Sequence, residues 1–359
     1  MGEGYRKKSR TDQKGDEIMK LYSNEIVFRG HPDKICDQIS GAILDECLKQ
    51  DKYTRAGIEC ALKNNRIYIF GEITTNAKID RAEIARRVLK DIGYKEEFQV
   101  VENISEQSRD IAIGVDRLGA GDQGMMFGYA CNDTKELLPL AQVILIKFAK
   151  EYDKLVHINP DVFYPDGKAQ ITGYYDQNFK LKDIKDFTIS YQNNEKNRFV
   201  TDAEIKAIAM TICREYGIHI QSFLINPTGK FLTGGPYADS GLTGRKIVVD
   251  AYQSFANVGG GCMNGKDPTK VDISGAHKAR ELAKRILKEK QLTWCELQLS
   301  YAIGLEKPLA IYIDSDKGNL PVSRNMIEEC KPARIIRDLH LFEPRYEEWA
   351  KFGHFANEE

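Results

Sequence analysis

The sequence predicts an α+β fold with antiparallel or mixed sheets. Apolar residues recur at helical spacing in several segments, and runs with strand-like alternation lie between them. The two kinds of segment follow no strict strand–helix–strand rhythm and hairpins are frequent, which favours α+β layers over a doubly wound parallel sheet. At 359 residues the chain is too long for one ordinary core, so its length predicts two or three domains.

The predicted helices span residues 34–50, 81–92, 134–154, 202–216, 277–290 and 324–341. The predicted strands span residues 58–74 (a hairpin turning at Asn64 and Asn65), 168–176, 187–192, 246–253, 295–304 and 309–314. Glycine-rich or turn-rich stretches near 114–128 and 226–244 divide the chain into thirds. We therefore expect a polar tail over residues 1–20 and domains over 21–120, 121–232 and 233–359, while interleaving of the domains stays open.

The composition excludes several classes of protein. With 52 Lys and Arg against 53 Asp and Glu, the chain has no global attraction for nucleic acid or anionic lipid. The eight cysteines occur singly, without zinc-binding spacing, as is typical of free thiols in a reducing compartment. The first twenty residues lack the apolar stretch of a signal peptide, and polar residues interrupt the apolar region 137–149. We expect a cytoplasmic protein that binds neither nucleic acid nor membrane.

The segment GHPDK predicts the start of a helix. Pro32 suits a first helical turn, which leaves His31, Asp33 and Lys34 at the helix N-terminus. That end carries unpaired N–H groups and favours an anion. The alternative is that Asp33 only complements the helix dipole and His31 only caps the helix.

Three further segments carry polar residues next to glycines or turns. GAGDQGMMFGYA is a glycine-rich loop that would expose the carboxylate of Asp122. The turn-rich segment 226–244 leads to Arg245 and Lys246 at the start of a predicted strand, with Asp239 shortly upstream. YPDGKAQI places Asp166 and Lys168 on a turn, which taken alone is an ordinary approach to a hairpin.

The segment GGGCMNGKDPTKVD is the most informative. From Gly260 it nearly matches the Walker A pattern, but Asp267 occupies the Ser/Thr position that should hold magnesium, so a Walker-type NTPase is disfavoured. The loop still offers Lys266, Lys270 and Asp272 to phosphates and a divalent cation. A purely structural loop with solvated lysines is the alternative.

In this order, the GHPDK helix start, the GAGDQG loop and the GGG…GKDP-K-VD loop resemble the S-adenosylmethionine synthetase (methionine adenosyltransferase) family. The resemblance covers about residues 25–309. It implies three similar α+β domains, each a small mixed or antiparallel sheet with helices. It also implies transfer of the adenosyl group of ATP to the sulfur of L-methionine, with release of triphosphate that is hydrolysed to pyrophosphate and phosphate.

The resemblance implies roles for individual residues. The matching catalytic groups are His31, Lys168, Arg245, Lys246, Lys266 and Lys270. The ATP contacts are His31, Asp166, Lys168, Lys230, Phe231, Asp239, Arg245, Lys246, Cys262 and Lys266, with Phe231 stacking on adenine. The methionine contacts are Glu72, Gln107, Asp122, Asp239 and Lys270. The metal ligands are Asp33 and Asp272 for two Mg²⁺ per site, and Glu59 for K⁺.

The resemblance further implies a homodimer with shared active sites, and a tetramer of two such dimers stays open. Displacement at C5′ of ATP builds negative charge on the triphosphate, so catalysis should rest on cations aimed at the leaving group. We expect Lys34 to be one of these cations, beside the lysines and the arginine that match the family.

The chain departs from the family in several places. AIGVDRL, before GAGDQG, is shorter than the usual gating loop, and Gln192 and Asn193 replace a Gln-His pair. QSFANV precedes the GGG, CMN follows it, and VDISGAH replaces the common VDRSAAY. We therefore expect a divergent member. The short loop also motivates an alternative function, a non-catalytic subunit that binds ATP or S-adenosylmethionine and regulates an active partner.

Overall fold

The structure, a computed structural model, describes residues 11–14, 17–107, 119–196 and 198–356. Its strands are β1 (Thr11–Lys14), β2 (Glu17–Val27), β3 (Arg55–Lys63), β4 (Arg66–Thr74), β5 (Gln99–Ser105), β6 (Gly124–Cys131), β7 (Phe163–Tyr175), β8 (Leu181–Asn193), β9 (Ile220–Ile225), β10 (Gly241–Leu242), β11 (Trp294–Tyr301) and β12 (Ala310–Ser315). Its helices are α1 (Pro32–Gln50), α2 (Arg81–Ile92), α3 (Leu140–Ile158), α4 (Arg198–Glu215), α5 (Gly235–Ala238), α6 (Ile247–Asp250), α7 (Val271–Lys290), α8 (Arg324–Glu329), α9 (Pro332–Asp338) and α10 (Tyr346–Phe352).

The described strands form three sheets, which confirms the predicted α+β class. The first sheet has the order β10-β3-β4-β5, the central sheet β1-β2-β7-β8-β9 and the third β12-β11-β6. The pairs β4–β5 and β8–β9 are parallel and the other pairs are antiparallel. The first and central sheets are therefore mixed and the third is antiparallel.

The three sheets interleave along the chain. The first sheet takes β10 from far downstream, the central sheet takes β2 from near the N-terminus, and the third takes β6 from the middle of the chain. Residues 11–14 and 17–20 of the predicted polar tail are strand. The division at residues 120 and 232 remains a prediction, because each sheet draws strands from distant parts of the chain.

Helices cover one face of each sheet. Helix α1 packs on β3, α3 on β7, and α7 on β6 and β11. One buried cluster joins the first and third sheets and includes Ile39, Ile58 and Leu297. A second cluster lies under the central sheet and includes Phe148 and Phe187. Each such side chain contributes about 1.5–3 kcal/mol by leaving water.

Most predicted segments agree with observed elements, and the hairpin turn at Asn64 is confirmed, with Asn64 at φ 52°. The predicted helix 324–341 is wrong in one respect: it is split into α8 and α9, because Pro332 has no N–H for a continuous helix and begins the second one. Part of the predicted glycine-rich loop is strand β6. Gly128 lies there against the backbone of Ala279, where a side chain would collide.

The predicted strand 246–253 is also wrong. The segment forms the short helix α6, with Asp250 N bonded to Lys246 O, and continues into left-handed backbone at Gln253 and Ser254. Its β-branched residues favour a strand. Buried contacts override that preference, because Val249 packs into the central core and Asp250 into a buried ion pair.

All eight cysteines are free and seven are buried, which confirms the prediction of unpaired thiols. No described helix combines the length and the apolar character that crossing a membrane requires. The predicted gating loop lies outside the described residues.

Candidate active site

His31 caps helix α1. Its backbone is extended (φ −62°, ψ 135°), Pro32 follows in the first turn, and its Nδ1 accepts a hydrogen bond from Asp33 N at 3.2 Å. Since Nδ1 is the acceptor, the ring proton of the neutral histidine is on Nε2. Burial and then the charge of Lys246 lower the pKa of His31 to about 4. The imidazole is therefore neutral at pH 7 and can donate through Nε2.

Asp33 binds two cations beside this cap. Its carboxylate is only 1% exposed, and Oδ2 lies 2.5 Å from Lys246 Nζ. Its Oδ1 accepts from Leu242 N at 3.0 Å and lies 3.7 Å from Arg245 Nε. The segment after α5 is thus fixed against the first turn of α1, and a carboxylate, a guanidinium and an ammonium meet there.

Strand β7 brings further predicted residues to the same place. Asp166 is buried, its Oδ2 accepts from Gly235 N at 2.7 Å, and burial raises its pKa to about 6. Lys168 is exposed. The charge of Lys168 lowers the pKa of His31 and that of Asp239 raises it. We call the whole set the helix-end group: His31, Asp33, Asp166, Lys168, Asp239, Arg245 and Lys246.

A second set lies on the first sheet and at the start of α7. Lys266 forms a close ion pair with Asp272, which is in the first turn of α7. The backbone of Lys266 also forms an antiparallel β-bridge with Gly57 on β3. Gly57 in turn pairs with Glu72 on the neighbouring strand β4. Gly261 packs against the carboxylate of Asp272, where any side chain would collide.

Glu59 and Asp122 complete this second set. Burial raises the pKa of Glu59, the charge of Lys266 opposes that shift, and the charge of Glu72 adds to it. Asp122 is exposed, and its charge raises the pKa of Lys266. We call the set the sheet-face group: Glu59, Glu72, Asp122, Lys266 and Asp272.

The sheet-face group lies on the outward face of the first sheet. Residues of β3 alternate between half-buried and buried, so Gly57, Glu59 and Ala61 share the half-buried side, opposite the buried side that packs on α1. Ala61 pairs with Tyr68 and with Leu242, both exposed. The carboxylates therefore lie on an open face that also carries apolar side chains.

Three predicted ATP contacts belong to neither group. Lys230 is exposed, with Nζ 3.8 Å from Glu195. Phe231 is half-buried, and its carbonyl accepts from Asn193 N at 3.0 Å. The thiol of Cys262 accepts from Asn264 N at 3.2 Å.

Two predicted methionine contacts have other partners. Gln107 N donates to Thr74 Oγ1 at 3.0 Å, at the end of β5. Lys270 Nζ lies 2.8 Å from Asp267 Oδ2. Asp267 is fully buried and also accepts from Ala56 N at 2.9 Å, so it anchors the loop to β3. This arrangement agrees with the rejection of a Walker-type NTPase, because Asp267 has no free position for a metal.

The predicted magnesium ligands are carboxylates, the type of side chain that magnesium prefers. In the described residues no three histidine, cysteine or carboxylate side chains converge on one point. Magnesium is usually held by one or two carboxylates together with water and substrate phosphates. Asp33 and Asp272 fit that requirement, because each is a carboxylate already paired with a lysine that could turn to a phosphate.

Comparison with known proteins identifies the family. Family models described as the N-terminal, central and C-terminal domains of S-adenosylmethionine synthetase match residues 19–109, 117–231 and 233–359. The chain is also 39% identical, over 372 aligned positions, to the S-adenosylmethionine synthase of Clostridium tetani, covering 94% of this chain and 95% of that protein. The chain belongs to the S-adenosylmethionine synthetase family. The resemblance and the three-domain fold predicted from the motifs are confirmed.

The expectation that Lys34 is one of the leaving-group cations is wrong. Lys34 is not aimed at a leaving group: it is 1% exposed, with Nζ 2.5 Å from Asp250 Oδ1 and 3.2 Å from Asp37 Oδ2. It lies one position past Asp33 and therefore on a different side of α1, facing the core. In this synthetase-family chain Lys34 is part of the support beneath the helix-end group.

Sequence reasoning missed other residues of that support. Arg29 is buried next to the GHPDK motif and binds Asp91 at 2.5 Å and Asp153 at 3.1 Å. The hydroxyl of Tyr94 donates to Gly30 O at 2.7 Å, directly before the cap. Arg29 could have been singled out from the sequence, because it directly precedes the GHPDK motif. Tyr94 could not, because its partner is a backbone carbonyl 64 positions away.

Proposed function

We propose that this chain transfers the adenosyl group of ATP to the sulfur of L-methionine, and that the released triphosphate is then hydrolysed to pyrophosphate and phosphate. The helix-end group carries the proposal. There a neutral histidine and the cations Lys168, Arg245 and Lys246 surround the positive end of α1. Such a set binds and stabilises a polyphosphate, in keeping with the family.

The chemistry needs positioning and charge more than a protein nucleophile. The thioether sulfur of methionine attacks C5′ of ATP, the bond from C5′ to the triphosphate oxygen breaks, and that oxygen keeps the electron pair. The cations stabilise the charge that develops on it, which typically contributes about 2.7–4 kcal/mol for each well-placed group. His31 adds a hydrogen bond from Nε2 without carrying a charge.

The remaining substrate contacts are assigned by resemblance to the family. Adenine stacks on Phe231, with Asp166, Lys230 and Cys262 nearby. Methionine binds with Glu72, Gln107, Asp122, Asp239 and Lys270. Lys266 and Lys270 complete the phosphate-binding cations. The half-buried position of Phe231 beside the central sheet supports the adenine contact.

Asp33 and Asp272 would hold two magnesium ions, and Glu59 a potassium ion. Magnesium supplies neutralisation of phosphate charge when it is bound. With Asp33 and Asp272 holding the metal, Lys246 and Lys266 would be available to bind phosphate oxygens. The elevated pKa of Glu59, which follows from burial, supports a role for Glu59 in binding a cation.

We also propose a homodimer whose active sites each combine the helix-end group of one subunit with the sheet-face group of the other. The open face of the first sheet supports it, since Leu242, Tyr68 and Val101 form one exposed apolar row across β10, β4 and β5. Apolar patches of this kind mark interfaces. Assembly into a tetramer and residence in the cytoplasm remain predictions from the sequence.

Mass spectrometry of the purified chain with ATP, methionine, magnesium and potassium tests the function. We expect S-adenosylmethionine, pyrophosphate and phosphate in equal amounts. If saturating substrates give no sulfonium product, while ATP or S-adenosylmethionine still binds in calorimetry, the chain is the non-catalytic regulatory subunit instead. Light scattering of the same sample tests the dimer.

A further inference from the structure

A network of hydrogen bonds between buried polar side chains connects α1 to the C-terminal segment after α10. The buried ammonium of Lys34 lies 2.5 Å from Asp250 Oδ1 and 3.2 Å from Asp37 Oδ2. Asp250 Oδ2 then accepts from Asn264 Nδ2 at 2.8 Å. Asn264 Oδ1 lies 3.1 Å from His354 Nε2, and His354 Nδ1 lies 3.3 Å from His277 Nε2.

The direction of each hydrogen bond follows from the charge on Lys34. Both oxygens of Asp250 accept hydrogen bonds, Oδ1 from Lys34 Nζ and Oδ2 from Asn264, so the Asn264 amide must donate to it. The amide oxygen of Asn264 therefore faces His354, whose Nε2 has to be the donor. His354 Nδ1 is left as an acceptor for His277 Nε2–H. Complete burial, with the nearby His277 and Lys34, keeps the pKa of His354 well below its usual value, so the ring stays neutral.

This hydrogen-bond network contacts both loops that carry catalytic cations, the loop of Arg245 and Lys246 and the loop of Lys266. Asp37 Oδ1 accepts from Gly244 N at 2.9 Å, directly before Arg245 and Lys246. Asn264 lies in the glycine-rich loop shortly before Lys266, and its backbone N donates to Cys262. Since Lys34 binds both Asp37 and Asp250, one buried ammonium links the two loops.

His354, in the segment after α10, is the last residue of the network to contact the two loops. Its backbone N donates to Asp250 O at 2.9 Å while its ring binds Asn264, so it contacts both loops at once. The segment is held by stacking of His277 on Trp349 at 4.1 Å and of Tyr252 on Phe355 at 5.0 Å. His277 belongs to VDISGAH, one of the places where this chain departs from the family.

We propose that His354 is a positioning residue for the adenosyl transfer: by donating a hydrogen bond to Asn264 it holds the Lys246 loop and the Lys266 loop, which one subunit contributes to two active sites. The inference rests on the proposed function and deepens it. Without the donor, the oxygen of Asn264 is buried and unpaired, which costs about 1–3 kcal/mol. Rotation of the amide relieves that cost but breaks its bond to Asp250, and the glycine-rich loop loses its alignment.

Two substitutions of the same residue test the proposal. The side-chain nitrogen of Gln reaches the position of imidazole Nε2, whereas that of Asn reaches only Nδ1. His354→Gln therefore keeps the donor to Asn264, and His354→Asn loses it. We expect kcat of the Gln variant within about threefold of the unaltered protein, and kcat of the Asn variant lower by about 10-fold to 10²-fold, because small displacements near reacting groups have effects of this size.

Packing alone predicts a different result. Both variants lose the aromatic ring, so packing alone should lower their Tm and their kcat by similar amounts. Equal kcat values for the two variants overturn the proposal. If neither variant folds, Asn264→Ala replaces them, and a folded Asn264→Ala with unchanged kcat also overturns it.

Hydrogen–deuterium exchange separates this inference from the proposed function, because it needs no turnover. We expect amides of residues 259–266 to exchange faster in His354→Asn than in His354→Gln. Equal exchange in the two variants contradicts positioning through Asn264, whether or not the chain makes S-adenosylmethionine. If exchange is faster in His354→Asn but the unaltered protein forms no product, the positioning of the loop through Asn264 is retained and the proposed activity is rejected.

Discussion

Lys34 Nζ lies 2.5 Å from Asp250 Oδ1 in the protein core, while Asp33, the equally buried preceding residue, binds Lys246, whose side chain is partly exposed. Two adjacent charges of one motif thus have different surroundings. Lys34 is 1% exposed and has two carboxylate partners, which makes it a structural group. The exposed cations of the helix-end group are the ones available to a triphosphate.

Substitution of Lys34 and of Lys168 should separate stability from turnover. Lys34→Met leaves two carboxylates without their cation and should lower the free energy of unfolding by about 3–5 kcal/mol. Lys168→Met alters an exposed side chain, so stability should stay within about 0.5 kcal/mol, while kcat falls by about 10² to 10³ through loss of a leaving-group contact. Urea unfolding and initial rates measure the two effects. A stable but inactive Lys34→Met would return Lys34 to the catalytic cations.

The sequence was sufficient for the class of fold and for the family, because these depend on local motifs, whereas the roles of the residues in both groups remain predictions. GHPDK could be recognised as a capped helix start because Pro32 and His31 are adjacent to the helix they begin. The strand predicted at 246–253 failed because Asp250 is held by Lys34, 216 positions away. The support under the site was missed for the same reason: Asp37, Asn264 and His354 meet through contacts that periodicity and spacing do not encode.

Two substitutions of His31 should distinguish capping from catalysis. His31→Ala removes both the cap and the Nε2 donor, and we expect kcat lower by about 10² to 10³ together with a loss of about 1 kcal/mol of stability. His31→Asn supplies a good cap and should restore stability without restoring kcat. If His31→Asn recovers both, His31 is only a cap. His219→Ala, at a histidine whose side chain is 78% exposed, serves as the control and should change neither quantity.

The neutral state of His31 gives a pH prediction. Its folded pKa of about 4 is below the unfolded value of 6.5, so the unfolded chain binds more protons between these values. The contribution of His31 to stability is therefore complete above about pH 6.5 and is lost as the pH falls through about 4, with a slope of up to about 1.4 kcal/mol per pH unit. Asp166, with its raised pKa, contributes with the opposite sign.

The difference between the unaltered protein and His31→Asn isolates the histidine, because Asp166 is common to both. His31→Asn should match the unaltered protein in stability at pH 7, and urea unfolding should show the unaltered protein becoming less stable than the variant as the pH falls from 7 to 4. NMR of histidine-labelled protein should assign His31 a midpoint near 4. A midpoint near 6.5 would mean that burial and Lys246 do not suppress its charge.

Asp267 should prove structural although it occupies the Walker metal position. Its carboxylate is fully buried, and Lys270 with the hydrogen bonds from Thr269 and Ala56 offsets burial and lowers its pKa. Asp267→Asn leaves Lys270 unpaired and should cost about 3–5 kcal/mol without changing the magnesium concentration needed for half-maximal rate. Asp272→Asn is the matched control and should shift that concentration. A shift caused only by Asp267→Asn would reverse the two assignments.

Mixing two inactive variants tests whether an active site draws on two subunits. Lys168 belongs to the helix-end group and Lys266 to the sheet-face group. In the proposed dimer, a heterodimer of Lys168→Met and Lys266→Ala has one site with both changes and one with neither. Random pairing of co-expressed chains makes half of the dimers mixed, so about one quarter of the unaltered activity should return. Differently tagged chains allow the mixed dimer to be purified, and its activity should be about half that of the unaltered dimer. Activity no higher than that of either variant alone would place both groups of each site in a single chain.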